Sequence, residues 1–167
     1  MKRHFTATGF VVDGSRTILH WHRRLQQWMP PGGHIEADED PVQAVLREIE
    51  EETGLITEVI PLQQSATFAY PQQVPAPYTI LIEDIPGPVE PHKHIDMIYF
   101  CRPVDASARE FDADQTLRWV SEDELKATRG FEVAGFGVSA PVPDDVRELA
   151  LLAIQAARRL QHIGAKP

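Results

Sequence analysis

The chain has 167 residues, 43% of them hydrophobic, which fits one domain of ordinary size with enough apolar material for a real core. Its net charge of −9, from 16 basic and 25 acidic residues, excludes the broad electrostatic attraction that draws proteins to nucleic acid. A lone cysteine, Cys101, excludes an internal disulfide; the opening MKRHFTATGFVVDG lacks the apolar run of an export signal, and no stretch is apolar for long enough to span a membrane.

A single domain over residues 1–167 in the cytoplasm is therefore expected, with no nucleic-acid or membrane partner. FTATGFVVDG predicts a strand that ends in the turn Asp13-Gly14, and TILHWHRR predicts its returning partner. LQQWMPPGGHIE reads as loop, since Pro30, Pro31, Gly32 and Gly33 forbid helix. Asp40 as N-cap and Pro41 at the first helical position predict a helix that stops at Gly54. LITEVIPLQQSATFAY and YTILIEDI predict strands, within or beside a stretch from Pro71 to Pro91 whose six prolines suit loops around an exposed edge. HIDMIYFCRPV and LRWVS predict further strands on either side of an acidic loop from Ala108 to Gln115. Ser121 and Glu124 form a capping box for a short helix, and helical spacing of alanine and leucine predicts a last helix over about 144–161. This order argues for a mixed sheet between helices, an α/β fold without evident parallel winding.

Charge is concentrated in the segment from Glu36 to Glu52, which ends in the first helix. Glu36, Asp38, Glu39, Asp40, Glu48, Glu50, Glu51 and Glu52 face one base, Arg47, so seven of the nine excess negative charges lie in one short segment. At about 100° per residue from Arg47, Val42, Val45, Leu46 and Ile49 fall at roughly 160° to 260°, a stripe for the core. Glu51, Glu48 and Glu52 fall at roughly 40°, 100° and 140°, whereas Glu50 falls near 300°. Like charges so placed repel unless something outside the helix compensates, and a hard divalent cation with substrate phosphates does so.

Gly33, Glu39, Arg47-Glu48-Ile49, Glu51-Glu52 and Gly54-Leu55 resemble the signature of the Nudix hydrolase family, Gly-x5-Glu-x7-Arg-Glu-U-x-Glu-Glu-x-Gly-U with U aliphatic, at every defined position. Seven fixed positions at about 7% usage each match by chance on the order of one time in a million along such a chain, so the signal is specific. The flanks WMPPGGHIE and RWVSEDEL resemble the family's too, with Pro30 where an apolar residue is usual, so the likeness spans roughly Thr6 to Leu125. The resemblance implies a Nudix-type α/β/α sandwich, Mg²⁺ or Mn²⁺ as cofactor, and hydrolysis of a nucleoside diphosphate linked to another moiety, a small-molecule diphosphate substrate. It implies Glu48, Glu51 and Glu52 as metal ligands, with the Gly33 backbone close to the ion. Arg47 belongs with them as a catalytic residue, one turn before Glu51 and able to hold that carboxylate by a bidentate pair.

The signature leaves other positions open. His92, His94 and Asp96 share one face of a strand; the spacing suits contacts to substrate, with a transition-metal set and structural hydrogen bonding as alternatives. Arg23 and Arg24, just before the glycine loop, suit phosphate contact with one of the two facing solvent, an ordinary exposed hairpin being the alternative, and Arg23 is the candidate for substrate. Glu52, Glu110, Asp112 and Asp114 are candidates for the general base. Trp28, Phe68 and Tyr70 suit either base stacking or the core. A Nudix-like nucleotide-binding sensor without turnover is the alternative function, a Nudix isomerase using Cys101 a third, and a homodimer stays open.

Overall fold

A computed structural model describes residues 2–63, 69–85, 91–105, 110–111, 116–133 and 135–164. Its centre is an eight-stranded mixed sheet. Strand β1 (Arg3–Asp13) runs into β2 (Arg16–His22) through Gly14, whose φ of 60° is costly for any residue with a Cβ. Short strands β3 (Gln27–Met29) and β4 (Gly32–His34) follow, pairing with β2 and β1 respectively. After helix α1 (Pro41–Thr53) come β5 (Thr57–Val59), β6 (Thr79–Ile85) and β7 (His92–Pro103), with β5 and β6 both antiparallel to β7. Strand β8 (Leu117–Ser121) pairs with β2 and leads into α2 (Glu122–Ala127). A hairpin of β9 (Phe131–Val133) and β10 (Val138–Ala140) precedes α3 (Asp144–Gly164).

The mixed sheet that the sequence predicts takes a definite pairing, and two other sequence expectations are corrected. The strongest pairing in the sheet is parallel, β1 with β7 over Arg3↔Lys93 to Val11↔Cys101, joining segments about ninety residues apart that carry no local sign of each other. Two short strands occupy the expected loop over 25–36, because prolines that forbid helix still permit extended backbone at a sheet edge. Among the described residues of the expected long strand after Leu55, Thr57–Val59 alone is strand, and Gln64 to Phe68 lie outside the described residues.

Alternation along the strands sends side chains to two cores. Ala7, Val11, Tyr99 and Cys101 pack with Ala44, Val45 and Ile49 of α1, while Phe10, Val12, Ile98 and Phe100 pack with Val146, Ala150, Ala153 and Ile154 of α3. Full burial of residues such as Val45 and Ile49 contributes about 1.5 to 3 kcal/mol each. Gly9 sets the height of α1, since a Cβ there would lie 2.6 Å from Ile49 Cδ1 and 2.9 Å from Val45 Cγ2. The helix therefore lies low enough for its carboxylates to reach β4. No helix among the described residues is long and apolar enough to cross a membrane.

Candidate active site

Helix α1 begins and ends on local chemistry. Asp40 Oδ1 accepts from the N–H groups of Val42 and Gln43, Gln43 returns a bond to the Asp40 N–H, and Gly54 closes the helix at φ 72°. The capped helix holds Arg47 beside three carboxylates. Its Nε and Nη2 donate to Glu39 at 2.6 and 3.0 Å, its Nη1 to Glu48 at 2.8 Å and to Glu51 at 3.3 Å, and its Nη2 also to the His34 carbonyl at 3.1 Å. The bidentate partner is thus Glu39 rather than Glu51. Glu51 is 60% exposed and reaches only one guanidinium nitrogen, whereas Glu39 approaches edge-on from the loop before the helix. Hydrogen bonds to Glu39 and Glu48 raise the Arg47 pKa beyond its ordinary range, and the same bond to Arg47 lowers that of Glu39.

Glu48 and Glu52 turn toward β4. Glu52 accepts the Gly32 N–H at 3.1 Å, and the Glu48 carboxylate fills the space where a Cβ on Gly33 would stand. Burial pushes the Glu52 pKa up to about 7 and the nearby charges of Glu48 and Glu51 add to this, against the lowering effect of the Gly32 bond. His20 Nε2 lies 3.6 Å from Glu52, but burial holds His20 near a pKa of about 4, so the contact is with a neutral imidazole and not an ion pair at neutral pH. Glu48 at the Gly33 approach, Glu52 on the Gly32 N–H and Glu51 on Arg47 offer the oxygen donors a hard divalent cation takes, and the unfavourable ionisation of Glu52 is what such an ion relieves. Glu50 is exposed and has no part in this arrangement.

Gly32 and Gly33 also wall a cavity of about 330 Å³ on the α3 side of the sheet, lined among others by Thr8, His20, Arg24, Glu83 and Asp96. Strand β4 is thus shared between the carboxylates and the cavity. Asp96 is 4% exposed and accepts from Thr6 Oγ1 at 2.8 Å, with burial raising its pKa. Glu83, the Cα partner of His94 on β6, is pushed up to about 7 by burial and by Asp96 and Asp145.

Of the expected substrate contacts, His92, His94 and Asp96 line this cavity and Arg23 does not. Strand β2 ends at His22, so both arginines sit in the following turn; Arg23 lies over the Phe136 ring at 5.6 Å and Arg24 takes the cavity wall. Trp28 is core at 1% exposure, and Tyr70 is 88% exposed. Glu110 pairs with Arg16 at 2.7 Å, while Phe68, Asp112 and Asp114 lie outside the described residues. Cys101 is fully buried against α1, and burial raises its thiol pKa, so it is no nucleophile for an isomerase. His4, His20, His34 and Glu83 were not singled out by the sequence; only β pairing brings them to the site, and no local spacing marks them.

Comparison with known proteins agrees with this architecture. A family profile for the NUDIX domain matches residues 2–135. An RNA pyrophosphohydrolase of Xylella fastidiosa is 46% identical over 56 residues, 32% of this chain and 30% of that protein. Another from Thioalkalivibrio sulfidiphilus is 41% identical over 49 residues, 28% of each. The chain thus spans under a third of the length of these curated relatives. Among solved structures, a NUDIX-family hydrolase from Clostridium perfringens superposes with TM-score 0.67 at 24% identity, covering 94% of this chain and 99% of that one. An ADP-ribose pyrophosphatase from Streptococcus suis gives TM-score 0.52 at 17% identity, covering 93% and 92%. At such identities the structures speak for the fold alone, whereas the profile covers most of the chain: the protein belongs to the Nudix family.

Proposed function

We propose that the protein is a divalent-metal-dependent hydrolase that cleaves the diphosphate bond of a nucleoside diphosphate linked to a second moiety. The observation that carries this reading is Glu48 and Glu51 held by Arg47 with Glu52 beside them on the Gly32 N–H of β4, the wall shared with the cavity. Glu48, Glu51 and Glu52, with the backbone at Gly33, would hold Mg²⁺ or Mn²⁺, which supplies Lewis-acid polarisation of the diphosphate and of the attacking water. Arg47 fixes Glu48 and Glu51 while Glu39 fixes Arg47, so the carboxylates are held in place before substrate arrives. Glu52 is the candidate to accept the water's proton, because it alone of the three faces both the Gly32 amide and His20. Water's oxygen bonds to one phosphorus, the bridging oxygen leaves with the other, and two phosphate-bearing products result. The second moiety occupies the cavity, with the Arg24 guanidinium available to its phosphate and Asp96 to its hydroxyls.

A chromatographic screen over nucleoside triphosphates, ADP-ribose, dinucleoside polyphosphates, CoA, nucleotide sugars and RNA with a 5′-triphosphate, each with Mg²⁺ and with Mn²⁺, tests this. Turnover of at least one diphosphate is expected. No turnover across the panel, with a nucleotide that raises thermal stability, would replace the enzyme with a binding sensor.

A further inference from the structure

Four histidines meet at the rim of the cavity, outside the carboxylate helix. His4 stands on β1, His34 on β4, and His92 and His94 on β7. These are three neighbouring strands, and the register makes the meeting rigid: His4 is the Cα partner of His94, and His34 pairs with Thr6, two residues along β1. Residues two apart on a strand share a face, so the pairing brings all four side chains to the cavity side. One nitrogen from each imidazole lies within 4.8 Å of the other three.

We propose that His4, His34, His92 and His94 form a second metal site, for one late first-row transition ion of the Zn²⁺ class, chemically separate from the carboxylates. Bonds of about 2.0 to 2.1 Å to a tetrahedral ion place ligand nitrogens about 3.3 to 3.4 Å apart. His4 Nδ1 to His34 Nε2 is 3.3 Å and His92 Nε2 to His94 Nε2 is 3.2 Å, so two edges of such a tetrahedron already exist. Strand register and ring contacts, His4 to His92 at 4.6 Å and His34 to His94 at 5.0 Å between centroids, bring the two pairs together, and an ion at their centre would use all four nitrogens at once. Imidazole suits Zn²⁺, Ni²⁺, Cu²⁺ and Co²⁺, whereas Mg²⁺ and Mn²⁺ prefer the oxygens of Glu48, Glu51 and Glu52, so ligand chemistry sorts the two sites. The Glu83 carboxylate lies 3.9 Å from His94 Nδ1, the ring nitrogen that does not contact His92, within ion-pair reach though beyond hydrogen-bond length. Carboxylates stand in that outer position where they orient metal-bound histidines. His34 is exposed, which gives an ion its way in. With the ion bound, the imidazoles serve it rather than the substrate directly.

Metal content tests this without reference to activity. Protein stripped with chelator is dialysed against Zn²⁺ in excess Mg²⁺, and bound zinc is counted by mass spectrometry for wild type, for His92→Ala with His94→Ala, and for Glu51→Gln with Glu52→Gln. Wild type and the glutamine variant should each hold one Zn²⁺ per chain. Loss of an outer partner alone costs about 10- to 100-fold in affinity, so removal of two ligands should cost at least about 100-fold. In wild type, Co²⁺ should give the intense visible absorption of a four-coordinate ion. If the double histidine variant does not fold by circular dichroism, His34→Ala takes its place, and imidazole nitrogen resonances of wild type should shift on Zn²⁺ addition. Wild type without bound Zn²⁺, or zinc lost from the glutamine variant and kept by the histidine variant, would overturn the proposal. Failure of the hydrolase reading would leave these counts unchanged.

Discussion

Replacing Glu52 by Gln should make the metal-free protein more stable and the enzyme nearly inactive. In the fold the Glu52 carboxyl, with an ordinary value near 4.5, is pushed up to about 7, first by burial and then by Glu48 and Glu51. Such a displacement corresponds to about 3 kcal/mol against ionisation. The side chain is 28% exposed, so solvent screening reduces that to about 1 to 2 kcal/mol. Its sign follows from proton binding: between about pH 4.5 and 7 the folded state holds the proton more tightly than the unfolded chain, so stability falls as pH rises through this window and the cost is complete above it. Gln keeps an oxygen to accept the Gly32 N–H and cannot ionise. At about 2 to 4 °C per kcal/mol for a chain of this size, thermal unfolding in EDTA at pH 8 should show the variant about 2 to 8 °C more stable, with the difference largely gone at pH 4. Saturating Mg²⁺ should stabilise wild type more than the variant, and kcat should fall at least about 100-fold, a loss near 2.7 kcal/mol in transition-state stabilisation. An equal stability difference at pH 4 and pH 8, or none at either, would refute the placement of Glu52 as a desolvated carboxylate.

Glu50→Gln, on the exposed side of α1, should change kcat by less than about 5-fold, and a loss as large as that of Glu51→Gln would mean the faces of the helix are misassigned. Glu39→Gln should raise the metal concentration needed for half-maximal activity and lower kcat about 10-fold, because the amide can accept only one of the two Arg47 bonds, at 2.6 and 3.0 Å in wild type, and carries no charge; metal titration of the variant's rate is the check. Gly33→Ala should abolish metal-dependent activity with little change in thermal stability, its Cβ displacing Glu48, whereas Gly9→Ala should lower stability by about 1 to 3 kcal/mol through Ile49 and Val45, both read from denaturant unfolding beside the rate. Thiol alkylation should leave the folded enzyme active, since Cys101 is fully buried away from the cavity; inactivation under native conditions would contradict its placement.

Helix α1 was legible because its signals are local: Asp40, Pro41 and Gly54 mark its ends, and the 3.6-residue period separates the core stripe from Glu48, Glu51 and Glu52. The parallel pairing of β1 with β7 was not, because it depends on a register between distant segments. The same divide runs through the site. His92 and His94 could be singled out because they share one strand face, but His4 and His34 come to them only by strand pairing. Arg47 was assigned to Glu51 by helical spacing, while Glu39, eight residues upstream and outside the helix, offers the planar approach that a guanidinium prefers. Arg23 and Arg24 were separable only once β2 was seen to end at His22, leaving both in the turn.

In the proposed mechanism Glu48, Glu51 and Glu52 would hold the ion on which diphosphate hydrolysis depends. Its most direct test is the rate of diphosphate cleavage by metal-stripped protein, on the best substrate of the screen, as Mg²⁺ is titrated in and then removed with EDTA. No cleavage is expected without the ion, with recovery as it is added and none in Glu51→Gln with Glu52→Gln at any Mg²⁺ concentration. Full cleavage in EDTA by wild type, or Mg²⁺-restored cleavage by the double variant at the wild-type rate, would contradict it.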